Sequence, residues 1–165
     1  MSLKYIFNQD QLVADFVARA KVASGFSRRA GFTDTNLKAI GIVNADNELI
    51  AGIVYFNYNP EAGTIEMSIE ALPKQNWLTR TTLAVMFQYP FLHCGCQMLM
   101  TRTAAYSEHV LRMLAAMNFM LIRIPRAGGR TEDGVLGLLT YEDWINGKFC
   151  KRFNHHIAVK ADEAA

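Results

Sequence analysis

Residues 64–91 change their hydrophobic period part-way, and this switch does most to limit the folds open to the chain. Ile65, Met67 and Ile69 alternate with Glu66, Ser68 and Glu70, the two-residue period of a strand with one apolar and one polar face. Pro73 makes it hard for that strand to continue through a sheet interior, because proline has no N–H to give to a ladder. From about Leu78 the apolar positions Leu83, Val85, Met86, Phe87 and Phe91 suit a helix buried on one side. Strand, loop and helix in that order leave unpaired backbone N–H groups at the helix start, a natural seat for a phosphate or pyrophosphate.

The flanking sequence extends a sheet around this unit. Residues 3–7 are expected as a short strand. Asn8 or Asp10 then caps a helix running to about Ala23, which packs through Leu12, Val13, Phe16, Val17 and Ala20. Residues 25–32 read as a loop tacked to the body by Phe26 and Phe32. Residues 37–43 and 49–58 form a hairpin, and a turn rich in Asn, Pro and Gly feeds the strand at 64–71. A strand–helix–strand crossover follows at 97–103, 107–117 and 119–125, with Asn118 as a left-handed cap. Residues 126–134 connect to a returning strand at 135–140, and 141–145 give a last helical turn with Trp144 folded onto the body. The expectation is an α/β (α+β) chain with a central mixed, mostly antiparallel sheet flanked by helices. Residues 1–149 are expected as one domain and 150–165 as a tail, partly disordered.

Composition narrows the function classes. With 51% hydrophobic and 19% charged residues the chain is not generally disordered. Seventeen Lys plus Arg against fifteen Asp plus Glu leave a net charge of +2, so bulk charge gives nucleic-acid binding no support. No apolar run reaches membrane-spanning length, and Asp10 interrupts the stretch where a secretory core would be needed; the expected setting is the cytoplasm, with no membrane partner. Cys94, Cys96 and Cys150 are expected as thiols outside any disulfide. His93 beside Cys94 and Cys96 is too little for a zinc site, so no metal is expected.

The order of elements, together with Trp77-Leu78-Thr79-Arg80 opening the helix and Tyr89-Pro90-Phe91 closing it, resembles the GCN5-related N-acetyltransferase superfamily. Its ribosomal-protein and amino-terminal alanine acetyltransferase-like branch is the most similar, along with small acetyltransferase-like proteins of tailed bacteriophages. The resemblance spans about residues 37–144. It implies acetyl-coenzyme A as acyl donor. The pyrophosphate is then held by the loop Lys74, Gln75, Asn76, Trp77, Leu78 and Thr79 with Arg80, and the thioester arm by the strand end Ser68, Ile69, Glu70, Ala71 and Leu72. Trp77 and Thr79 stand where the familiar loop has glycines. Ser107 occupies the place of an asparagine near the pantetheine arm, and Leu114 that of a tyrosine which protonates the departing thiolate in many relatives.

Acetyl transfer to an amine needs a neutral nucleophile, a polarised thioester carbonyl and a route for the proton. Glu66 is the first expected base and Glu70 the second, with Ser107 beside the thiol; a purely solvating role for the two carboxylates stands next to this. The acceptor is expected to be an amine of a small molecule or a protein. The alternatives are a catalytically degenerate relative that binds coenzyme A or a protein partner, and a structural homodimer sealed by aromatics such as Trp144.

Overall fold

Alternating side chains build two sets of antiparallel strands in the computed structural model, which describes residues 2–23 and 32–148. The chain divides into two compact units between Met86 and Phe87. In the first unit β1 (Lys4–Ile6), β2 (Lys38–Val43), β3 (Leu49–Asn59) and β4 (Thr64–Ala71) pair in sequence order, every pair antiparallel. In the second, β5 (Met98–Ala104) and β6 (Met120–Ile124) flank β7 (Gly134–Thr140), so the returning strand inserts between the two strands of the crossover. Among the described residues no helix is long and apolar enough to cross a membrane.

Helix α1 (Asp10–Ala23) covers one face of the first sheet. Its start is tied down by Asp10, whose carboxylate accepts the Ala39 N–H at 2.8 Å and lies 3.3 Å from the Lys38 ammonium. Val13, Ala14, Val17 and Ala18 are buried; the first three form a core with Ala39 and Val54, to which Phe16, Phe32 and Phe56 add partly buried surface. Leu12, expected inward, is exposed, because the 3.6-residue period turns it off the face that Val13 and Val17 share. Phe32 does hold its segment to the body, its ring 5.3 Å from that of Phe56. Phe26 lies outside the described residues.

The central helix α2 (Arg80–Gln88) starts two residues later than its apolar period predicts and ends in a wide π turn, Tyr89–His93. Pro90 accounts for that ending. It has no N–H for the carbonyl of Met86 four residues back. That carbonyl instead accepts the hydroxyl of Tyr55, a fully buried residue of β3.

In the second unit Phe91 stacks on Trp144 with ring centroids 5.0 Å apart, and Phe87 lies 6.5 Å from the same indole. Trp144, at the middle of α4 (Tyr141–Asn146), is buried, so it does fold onto the body and offers no surface for sealing a dimer. Helix α3 (Glu108–Ala116) ends as expected at a left-handed Asn118, φ 72°. The Asn118 N–H bonds Ala115 O and the Phe119 N–H bonds Leu114 O, which closes the last turn in a Schellman pattern. The connection after β6 is cross-tied by Asp133, which takes Arg123 Nε at 2.8 Å and the Arg126 N–H at 3.1 Å. The Arg123 guanidinium holds the Asp133 carboxyl below the usual range.

Candidate functional site

Strand β4 places Glu66, Ser68 and Glu70 on one face, but that face is not the solvated one its polarity implies. Helix α1 packs across it. Ser68 is 5% exposed, and its hydroxyl has no hydrogen-bond partner among the described residues. Glu66 stands opposite Phe56 and takes the Asn57 side-chain amide at 3.2 Å. Glu70 stands opposite Gly52. Burial pushes its carboxyl above the ordinary range, and the positive charge of Lys21 on α1 pulls it partly back. Lys21 responds in kind: burial lowers its ammonium, and Glu70 opposes the fall.

The backbone at the end of β4 is divided by the pairing. The Leu72 N–H bonds Ile50 O at 2.8 Å, so alternation directs the N–H groups of Glu70 and Ser68 to β3 as well. Those of Ile69 and Ala71 point away from β3. Leu72 was expected among the groups that hold the thioester arm; its N–H is taken up within the sheet.

The loop into α2 presents Lys74, Gln75, Asn76 and Arg80 to solvent, with Trp77, Leu78 and Thr79 partly buried. Its left-handed residue is Lys74, φ 61°, whereas neither Trp77 nor Thr79 has a positive φ. The two positions where the resemblance expects glycine therefore use backbone conformations open to any residue. Thr79 was expected to offer a hydroxyl to phosphate, but it is the cap of its own helix: Oγ1 accepts the Thr82 N–H at 3.1 Å and lies 3.0 Å from Thr82 Oγ1. The Thr82 hydroxyl donates to Trp77 O at 2.7 Å and also meets the Tyr5 hydroxyl at 2.9 Å, which fixes the loop to β1. Arg80 and Thr81 supply the remaining backbone N–H groups of the first helical turn.

The second unit carries the other expected positions. Ser107 precedes α3 with φ −82° and ψ 64°, and its hydroxyl makes no capping bond. Leu114 is 3% exposed and belongs to the core, which excludes it from any proton transfer. Cys94 and Cys96 form no disulfide; Cys96 is buried, and desolvation pushes its thiol up to about 11. Cys150 lies outside the described residues. No group of three or more metal-binding side chains exists among those described.

A cleft of about 560 Å³ opens beside the start of α1, lined by Asp10, Gln11, Asp15, Phe32, Asp34 and Lys38 among others. None of the expected site residues lines it. Its acids are engaged in the fold: Asp34 accepts the N–H groups of Asn36 and Asn57, both at 2.8 Å, and Asp15 accepts the side-chain amide of Gln11 at 2.8 Å.

With this geometry in place, solved structures supply the comparison. The chain matches a spermidine N-acetyltransferase of Vibrio cholerae at a TM-score of 0.69 and 13% identity, over 87% of this chain and 96% of that one. A point mutant of that enzyme matches at 0.71 and 13%, over 87% and 96%. A candidate acetyltransferase of Acinetobacter baylyi matches at 0.66 and 14%, over 86% and 94%. The fold is that of the GCN5-related N-acetyltransferases. At such low identity the likeness carries the acetyltransferase fold and leaves the activity to the residues. No protein-family model matches the sequence, and no curated protein sequence matches it either.

Proposed function

We propose that this protein is an N-acetyltransferase that moves an acetyl group from acetyl-coenzyme A to an amine, with Glu70 as the base. The observation that carries the reading is the placement of Glu70: a carboxylate on the central strand, held under a helix where burial raises its proton affinity toward that of a useful base. Glu66, on the same strand face, engages the Asn57 amide instead and is the second choice.

The residues present fit the donor. At the helix start, the backbone N–H groups of Arg80 and Thr81, the Arg80 guanidinium and the exposed Lys74 suit a pyrophosphate. The buried hydroxyl of Ser68 has a bond to give, and the Ile69 and Ala71 N–H groups point away from β3. In the second unit, taken by itself, the Ser107 hydroxyl caps nothing. When bound, the coenzyme supplies an activated thioester. The chain's own task is to orient the acceptor, take one proton from its nitrogen onto Glu70 Oε and present N–H donors to developing negative charge.

Acceptors in this reading are amines, of a small molecule before a protein, because solved neighbours include enzymes for spermidine. An assay of thiol release from acetyl-coenzyme A over polyamines, aryl amines and peptides with free amino termini tests the proposal. Release that saturates with one amine class and falls in Glu70→Gln supports it; no release with any class, in protein that takes up coenzyme A by calorimetry, supports binding without turnover. The buried Leu114 in the place of a proton donor favours that second reading.

A further inference from the structure

Strand β6 is the outer strand of the second unit, with β7 on one side and no strand of the described residues on the other. Which of its backbone groups face that open edge follows from the bonds at the two ends of β7. The Ala105 N–H bonds Asp133 O at 3.0 Å and the Tyr141 N–H bonds Gln97 O at 2.9 Å, so Asp133, Val135, Gly137 and Leu139 direct their polar backbone groups to β5. Gly134, Leu136 and Leu138 therefore face β6, where their partners are Ile124, Ile122 and Met120. By alternation the N–H and C=O groups of Leu121 and Arg123 point outward, where no described strand takes them.

The side chains of this strand are open as well. Met120, Ile122 and Ile124 share one face and are 59%, 41% and 37% exposed, with the half-buried Leu138 and Leu136 of β7 beside the first two. Edge strands commonly carry a guard against pairing, such as a free charge or a proline within the strand. Here the one charge, Arg123, is held by Asp133 of its own chain at 2.8 Å, and Pro125 stands just past the strand end. Two residues bound what can pair: Pro125 has no N–H, and the Phe119 N–H is already bonded to Leu114 O at 3.1 Å.

We propose that the open edge of β6 is an interface for a second copy of this chain, paired antiparallel about a two-fold axis at Ile122. This register sets Leu121 of each copy opposite Arg123 of the other, so every outward N–H meets an outward carbonyl. An axis at Arg123 would oppose two like charges and put Leu121 against Pro125, and an axis at Leu121 would put Arg123 against the committed N–H of Phe119. With the axis at Ile122, that side chain meets its own copy at the close, non-hydrogen-bonded position. Met120 meets Ile124 on either side, and the two exposed apolar faces join into one stripe. A five-residue edge buries less than the roughly 800 Å² per partner of a standard interface, so the pair is weak and forms with rising concentration.

Sedimentation velocity of the full chain over a concentration series reads the association, and cysteine cross-linking reads the register. Wild type should shift from monomer to dimer. Ile122→Lys, which sets two like charges face to face on the axis at an exposed position, should raise the dissociation constant by about tenfold or more. In a background of Cys94→Ser and Cys150→Ser, Ile122→Cys should give a disulfide-linked dimer under mild oxidation, because Cα atoms at such a position lie about 4.5 Å apart, within bridging range. Met120→Cys alone should not cross-link, whereas Met120→Cys combined with Ile124→Cys should. Cross-linking of Met120→Cys as readily as Ile122→Cys, or a dimer that Ile122→Lys leaves intact, overturns the proposal. A wild-type chain that stays monomeric at millimolar concentration overturns it too, and slow hydrogen exchange at the Leu121 and Arg123 amides of that monomer would assign the edge to another segment of the same chain.

Discussion

Glu66 and Glu70 share a strand, a face and a side chain, yet they stand in different chemistry. Glu66 sits opposite an aromatic residue and takes an amide from the neighbouring turn. Glu70 sits opposite a glycine, where burial pushes its carboxyl above the ordinary range. Nothing in β4 itself separates them. What separates them lies one strand over: Gly52, whose missing side chain lets Val13 and Val17 of α1 come close, stands opposite Glu70, and Phe56 stands opposite Glu66. The surroundings of a carboxylate are here set by the adjacent strand.

The comparison breaks or holds first on turnover. Glu70→Gln should lower kcat/KM by about a hundredfold or more, the usual worth of a positioned base, with Glu66→Gln leaving it near wild type. Steady-state rates on the best amine decide it, and the reverse ranking would return the role to Glu66. Next, Gly52→Ala should lift α1 and cost about 1–3 kcal/mol of stability by overpacking, read as a lower urea midpoint, and should cut turnover without touching either carboxylate. Thr79→Ala, at the start of α2, should cost about 1 kcal/mol through its lost helix cap and leave the ratio between the two glutamate variants unchanged.

The smallest effect is on stability against pH. A carboxyl raised in the folded state binds more protons folded than unfolded, so its contribution is present at low pH and is lost as pH rises from the ordinary carboxylate value through the raised one. Lys21 has the opposite slope: with its folded value lowered, stability rises with pH between that value and 10.5. Urea midpoints from pH 4 upward should show the acid-side slope in wild type and a shallower one in Glu70→Gln.

Much of the fold was legible because local patterns and tertiary packing agree. The alternation in β4 gives its bounds directly, and Asn118 was marked as a left-handed cap by its place between a helical and a strand period. The misses lie where the deciding partner is remote in sequence. Polarity marked Glu66, Ser68 and Glu70 as a solvated face, since no pattern within β4 records that α1 lies over it. The capping role of Thr79 was hidden because its partner, Thr82, is part of the helix that was expected to start before it. Lys21 escaped notice altogether, although a signal was there: counting fours from Val13 and Val17 arrives at a charge on the buried side of the helix.

Pro90 ties two distant positions into one inheritance. With a residue that has an N–H at 90, the Met86 carbonyl would have a donor in its own helix, and the Tyr55 hydroxyl would compete for it. With Pro90 in place, phenylalanine at 55 leaves that carbonyl with neither. Tolerance at either position therefore depends on what occupies the other, and a lineage can exchange the pair more easily than it can lose one member.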